Sequence, residues 1–186
     1  MARYFGDRTA EMLGRLSLNP LRHIDPIGTV LVPALLMAMS GMVIGWAKPV
    51  PVATNALRNP RISIPLVALA GPLANLLMAV IWCLVYVAIA HARGSETLIN
   101  WIALMAQAGI VINVILALFN LLPVPPLDGG RVLAGLLPPA FRARVEKIEP
   151  IGLPLVLGLS VLGGLRWLFE PAMRLIGGVI NYLVGS

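Results

Sequence analysis

The stretch ISIPLVALAGPLANLLMAVIWCLVYVAIA, residues 62–90, decides the fold, because it runs for twenty-nine residues without a charge. A bilayer span needs about 20 predominantly apolar residues, so this run is long enough to cross with some tilt. Gly71-Pro72 in its middle predicts a bend or the start of the helix proper. Three further apolar runs flank it, at 27–47, 98–122 and 151–169, separated by Pro-, Gly- and charge-bearing segments at 48–61, 91–97 and 123–150. A polar flank occupies residues 1–26 and a mildly amphipathic tail residues 170–186. Of the 186 residues, 59% are apolar and 12% charged, against roughly 45–50% and 25% in soluble domains. A soluble domain of this size has too little interior for that much apolar surface, and disordered chains are polar. The sequence therefore predicts an all-α integral membrane protein. It reads as a polytopic helical bundle with three to four full spans, forming a single membrane domain over 1–186 without internal repeats.

Charge refines this picture. The formal net charge is +6. In a polytopic chain, basic residues mark loops on the cytoplasmic side rather than a nucleic-acid footprint, so the expected partner is the lipid bilayer and not nucleic acid. The first run, 27–47, is interrupted by Gly28, Pro33, Gly41 and Gly45. If it crossed fully, the basic residues of the connecting segments would divide five against seven between the two sides. If it enters and returns on one side, segments 1–26, 48–61 and 123–150 carry eleven and the opposite side carries Arg93 alone. The second arrangement obeys the positive-inside tendency. It predicts a broken or re-entrant first element beside a polar cavity, since unpaired backbone is tolerated at membrane depth only against protein or water. The single Cys83 excludes an intrachain disulfide or a cysteine-built zinc site, and residues 1–26 do not read as a secretory signal.

Polar side chains in such a chain are site hypotheses. Asp128 follows the third run within NLLPVPPLDGGR, residues 120–131. Pro123, Pro125 and Pro126 cannot continue a helix, and Gly129 and Gly130 permit close backbone approach. A carboxylate on such an unwound end suits a metal ligand, a proton carrier or a cation site, or simply caps a loop at the interface. Asn75, Asn113 and Asn120 lie in the apolar runs and could hydrogen-bond between helices. Gln107 reads as a helix–helix contact. His91 falls in a turn, and His23 with Asp25 form a loop pair that is a weak metal candidate.

Four strings in order, FGDRTA with GRLSLNPLRHIDPIG (within 5–28), GWAKPVPV (45–52), AGPLAN (70–75) and NLLPVPPLDGGR (120–131), together resemble the site-2 protease family. That family comprises intramembrane zinc metalloproteases, and the likeness is to its compact bacterial type without PDZ or CBS domains. The resemblance implies that Asp128 is the third zinc ligand, beside two histidines of a helical His-Glu-x-x-His whose glutamate acts as general base on zinc-bound water. It also implies that Asn120 positions or polarises the substrate, with Asn75 a weaker candidate. Residues 45–52 would form an extended strand pairing with an unwound transmembrane protein substrate. The expected location is a bacterial inner membrane, with 1–26, 48–61 and 123–150 cytoplasmic.

The sequence departs from the family at one decisive place. No His-Glu-x-x-His occurs, and His23 and His91 are its only histidines. A catalytic zinc takes three protein ligands, so this chain alone is not expected to bind zinc tightly or to cleave peptides. Two explanations follow: a product that continues upstream of Met1 with the missing helix, or a non-catalytic scaffold of the same family. An in-frame His-Glu-x-x-His upstream separates them. A proton or cation transporter subunit using Asp128 is the rival from another class.

Overall fold

The computed structural model describes residues 1–17, 19–40, 53, 56–161 and 163–185. Regular structure among these residues is helical throughout, as the composition requires. The chain divides into two compact units, Met1–Ser63 and Ile64–Ser186.

In the first unit a single turn, α1 (Thr9–Met12), is followed by a 3-10 turn at Pro20–His23, a π-helical turn at Pro26–Leu31 and α2 (Val32–Ser40). Each of the two proline-led turns opens on a side-chain cap. Asn19 accepts from the Leu21 N–H at 3.0 Å, and Asp25 accepts from Ile27 at 3.0 Å and Gly28 at 2.8 Å. Proline tolerates the first helical position because its missing N–H would be unpaired there anyway. The expected break in the first apolar run appears as the change of winding from π to α just before Pro33. The rest of that run, and the strand expected at 45–52, lie outside the described residues.

The same unit is tied together by a buried carboxylate. Asp7 is 2% exposed. Its Oδ1 accepts from the Thr9 N–H at 2.9 Å and from the Thr9 hydroxyl, and its Oδ2 accepts from the Ala53 N–H at 2.9 Å. Those bonds hold its pKa below the ordinary carboxylate range, the Thr9 hydroxyl contributing most and burial opposing. Beside it the Phe5 carbonyl accepts from the Arg58 N–H at 2.9 Å.

The second unit contains most of α3 (Pro60–Ala90), whose first turn belongs to the first unit, and all of α4 (Glu96–Asn120). At 1.5 Å per residue these rods are about 46 and 37 Å long, more than the roughly 30 Å hydrocarbon core. Both are long and apolar enough to cross a membrane. Their large side chains point outward: Leu73, Leu77, Val80 and Leu84 on α3, and Trp101, Leu104, Met105 and Ile112 on α4, are all exposed. Lipid, not water, accommodates such a surface. α3 begins earlier than Gly71-Pro72 and continues through it, with Pro72 fully buried inside the helix.

Four shorter helices follow: α5 (Asp128–Leu136), α6 (Pro139–Glu146), α7 (Glu149–Val161) and α8 (Arg166–Gly185). Here the structure differs from the expected fourth span over 151–169. That run is shared between α7 and α8. Gly163 adopts a left-handed φ of +75°, and the Gly164 N–H turns back to the Leu159 carbonyl at 2.8 Å, closing α7 as an αL terminus does. Thirteen residues make α7 about 20 Å long, short of a span. The expected 170–186 tail is likewise part of α8. A core of Leu127, Val156 and Leu165, packed by Phe119, Leu122, Val124 and Phe169, joins the end of α4 to α7 and α8.

Candidate metal centre

The segment between α4 and α5 is shaped by what its residues cannot do. Pro123, Pro125 and Pro126 offer no N–H, so the chain closes in short turns instead. Leu121 N–H bonds the Ala117 carbonyl at 3.0 Å, Val124 bonds Leu122 at 2.8 Å, and Leu127 bonds Val124 at 3.0 Å. Gly129 and Gly130 then pass directly against this loop. A Cβ at 129 would overlap the Leu121 and Leu122 carbonyls, and one at 130 would overlap Val124 and Pro125 backbone. Only glycine allows α5 to start there. The loop is held from its other side by the Leu127–Val156–Leu165 core.

This construction presents Asp128 as the first residue of α5. A carboxylate at a helix N-terminus faces the positive end of the macrodipole. It also lies beside α3: a Cβ added at Gly71 would stand 3.0 Å from Asp128 Oδ2. Asp128 is half-buried. Burial pushes its pKa above the ordinary carboxylate value, with the Arg131 charge opposing. No hydrogen bond to its carboxylate is present among the described residues. The loop-capping reading of Asp128 thus has no cap bond behind it, whereas Asp7 and Asp25 both bond backbone N–H groups.

The remaining candidates are distributed as follows. Asn75 is half-buried on α3, one helical turn beyond Gly71 and so on the face that meets Asp128. Asn120, at the end of α4, is half-buried and donates to the Leu116 carbonyl of its own helix at 2.9 Å. Asn113 likewise donates to the Gly109 carbonyl at 2.8 Å. Its bond is intrahelical rather than the interhelical one the sequence allowed, since an Asn one turn on reaches its own i−4 carbonyl more easily than a neighbouring rod. Gln107 does join two helices, donating to the Tyr86 hydroxyl at 2.9 Å. His23 Nε2 meets the Ser17 carbonyl at 2.8 Å and His91 Nδ1 the Val87 carbonyl at 2.9 Å, so each ring is bonded within its own segment. Asp25 caps the π-helical turn.

Two features had no reading in the sequence. Gly71-Pro72 carried only a bend signal, and nothing in it revealed an approaching carboxylate from fifty-seven residues away. The C-terminal end of α5 is capped by Arg142 from α6. Its Nε donates to the Ala134 carbonyl at 3.0 Å and its Nη2 to the Gly135 carbonyl at 3.4 Å.

Asp128 suits zinc as a single ligand: a hard oxygen donor, half-buried, whose lone pairs are not taken by a hydrogen bond among the described residues. The set is incomplete, however, because no group of three or more His, Cys, Asp or Glu side chains converges among those residues.

Comparison with known proteins adds an independent observation. A family model described as peptidase family M50 matches residues 86–162. The chain is 42% identical over 160 residues to YwhC of Bacillus subtilis (strain 168), covering 84% of this chain and 69% of that protein. It is 33% identical over 189 residues to Rip2 of Mycolicibacterium smegmatis, covering 98% of this chain and 68% of that one. Against Rip2 of Mycobacterium tuberculosis (strain H37Rv) the identity is 30% over 178 residues, covering 89% and 64%. All three bear names that mark them as candidate zinc metalloproteases. The chain thus spans about two-thirds of the length of each relative. No solved structure matches it.

Proposed function

The chain belongs to peptidase family M50, and from that premise we propose that it carries part of an intramembrane zinc metalloprotease core. Asp128 is one protein ligand of the zinc. The two further ligands and the general base come from polypeptide outside these 186 residues, because His23 and His91 are the only histidines here and each is bonded within its own segment. When bound, zinc supplies a nucleophilic water and polarises a carbonyl. The residues of this chain hold the carboxylate in place, and they do not complete the site alone. Asn120, at the α4 end of the same loop, positions or polarises the scissile carbonyl. Asn75, on the α3 face that meets Asp128, is a secondary polar contact.

The observation that carries this reading is the state of Asp128: a half-buried carboxylate, fixed by a proline- and glycine-built turn and free of hydrogen bonds among the described residues. Burying a charge is costly unless a partner offsets it; Arg131 opposes the effect of burial only in part, and a bound cation would offset the rest. The substrate class follows from the surroundings. α3 and α4 expose lipid-compatible surface beside the carboxylate-bearing loop, so a membrane-spanning protein reaches it without leaving the bilayer. The basic segments 1–26, 48–61 and 123–150 support a reading in which that loop faces the cytoplasmic side of a bacterial inner membrane.

The test is cleavage of a membrane-spanning reporter by the native gene product, with and without Asp128→Asn. Zinc-dependent cleavage that the substitution abolishes is the expected result. Cleavage that survives it defeats the assignment, and so does proton-coupled uptake in vesicles that is lost with Asp128→Asn while no peptide is cut.

A further inference from the structure

We infer that Gly71 is a positioning residue for Asp128, and that its missing side chain sets where the carboxylate stands. The inference rests on the reading of Asp128 as a ligand. It is carried by the packing of α5 on α3. Two contacts fix that packing: Gly71 against Asp128, and Gly135 against Pro65, where a Cβ at 135 would overlap the Pro65 ring. Going from 128 to 135 on α5 means going from 71 back to 65 on α3, so the two helices run antiparallel along this contact. Residues 128 and 135 are seven apart and share one face of α5. Each end of the contact therefore has a glycine on one helix receiving a side chain from the other.

The two ends differ in what a methyl group would displace. At Gly135 the obstacle is a rigid proline ring built into α3. At Gly71 the nearest atom is Oδ2 of Asp128, at 3.0 Å, with Cγ at 4.0 Å and no other neighbour within that range among the described residues. A 3.0 Å approach is tighter than carbon and oxygen normally keep, so the carboxylate must rotate or retreat by a few tenths of an ångström while the backbone stays in place. Alanine is also the better helix former, by roughly 1 kcal/mol over glycine in a helix interior. Gly71→Ala should therefore fold at least as well as the wild type and yet aim the carboxylate differently. Orientation of that order controls metal affinity, since disturbing groups that hold a ligand typically weakens binding tenfold to a hundredfold.

The experiment uses the native gene product in detergent, with zinc removed and returned by titration against a chelator. Three variants are compared with the wild type: Gly71→Ala, Asp128→Asn, and Gly158→Ala as a control, whose Cβ would meet nothing within 4 Å among the described residues. A second readout is the infrared carboxylate band of protein labelled with 13C-aspartate. The chain has three aspartates, Asp7, Asp25 and Asp128, and Asp128→Asn identifies the band of interest. Gly71→Ala is expected to keep the wild-type melting temperature or exceed it, to weaken zinc tenfold to a hundredfold, and to shift the Asp128 band in the metal-free protein. Gly158→Ala should leave zinc affinity and the band unchanged. If Asp128→Asn abolishes zinc binding but Gly71→Ala alters neither affinity nor band, the positioning role is wrong and the ligand assignment stands. If Asp128→Asn leaves zinc binding intact, the ligand assignment itself has failed. A Gly71→Ala protein that does not fold overturns the inference too, because it would mean that backbone, not the carboxylate, fills the space.

Discussion

Asp7 and Asp128 are both fixed next to short helical turns, and their surroundings push them in opposite directions. Asp7 is buried with three donors from Thr9 and Ala53, so its charged form is favoured and its pKa is depressed. A group depressed in this way contributes stability that is fully present above its unfolded-state value and disappears as pH falls through the folded one. Wild-type protein should lose resistance to denaturation as the pH drops below about 4, where unfolded aspartates take up protons. Asp7→Asn should begin less stable at neutral pH, by about 1–3 kcal/mol for lost charge-assisted bonds, and show a flatter decline over the same range. Thermal melts from pH 7 to pH 3 check both parts, and parallel curves for the two proteins would refute them. Asp128 lacks such donors among the described residues, and burial raises its pKa instead. That contrast was only partly legible in the sequence, where the surrounding prolines and glycines marked Asp128 as a site candidate and nothing marked the bonding of Asp7. What distinguishes them is their surroundings: Asp7 takes bonds from Thr9, two residues on, and from distant Ala53, whereas Asp128 stands beside Gly71 of α3.

Among the elements, the two long rods were readable because hydropathy alone defines them. α3 and α4 coincide closely with the uncharged runs at 62–90 and 98–122. The run at 151–169 failed for the complementary reason. Gly163 and Gly164 add nothing polar to a hydropathy pattern, yet the positive φ at Gly163 ends one helix before the next begins. Backbone conformation is invisible to a scale that weighs only side-chain transfer. The placement of α5 was partly legible, since Leu-Asp-Gly-Gly announces a close approach, but the cap that finishes it comes from Arg142 across the turn into α6. A cation bonding the last carbonyls of a helix interacts favourably with both the lone pairs and the dipole. Arg142→Met should therefore cost about 1–2 kcal/mol, seen as a lower melting temperature and faster amide exchange within α5, while Arg142→Lys retains part of the loss. Unchanged exchange in α5 would show that the cap carries no weight.

For the whole molecule, the membrane assignment rests on outward-facing apolar side chains along α3 and α4, and sidedness rests on charge. Arg93 lies in the connection between the two rods, and Lys147 lies between α6 and α7, beyond the far end of α4. In a Cys83→Ser background, single cysteines at these two positions should be labelled from opposite sides of sealed vesicles, Lys147→Cys from the cytoplasmic face. Labelling of both from one side would contradict α4 as a span. Membership in peptidase family M50 was legible in the sequence because its strings survive in order. That this chain has too few histidines for the proposed zinc site was equally plain from a count of two. The most direct measurement is the zinc content of the native gene product, purified in detergent, beside that of Asp128→Asn. About one equivalent in the wild type, falling at least tenfold under the same chelator challenge in the variant, is the predicted result. Equal zinc in the two proteins, or none in either, would contradict it.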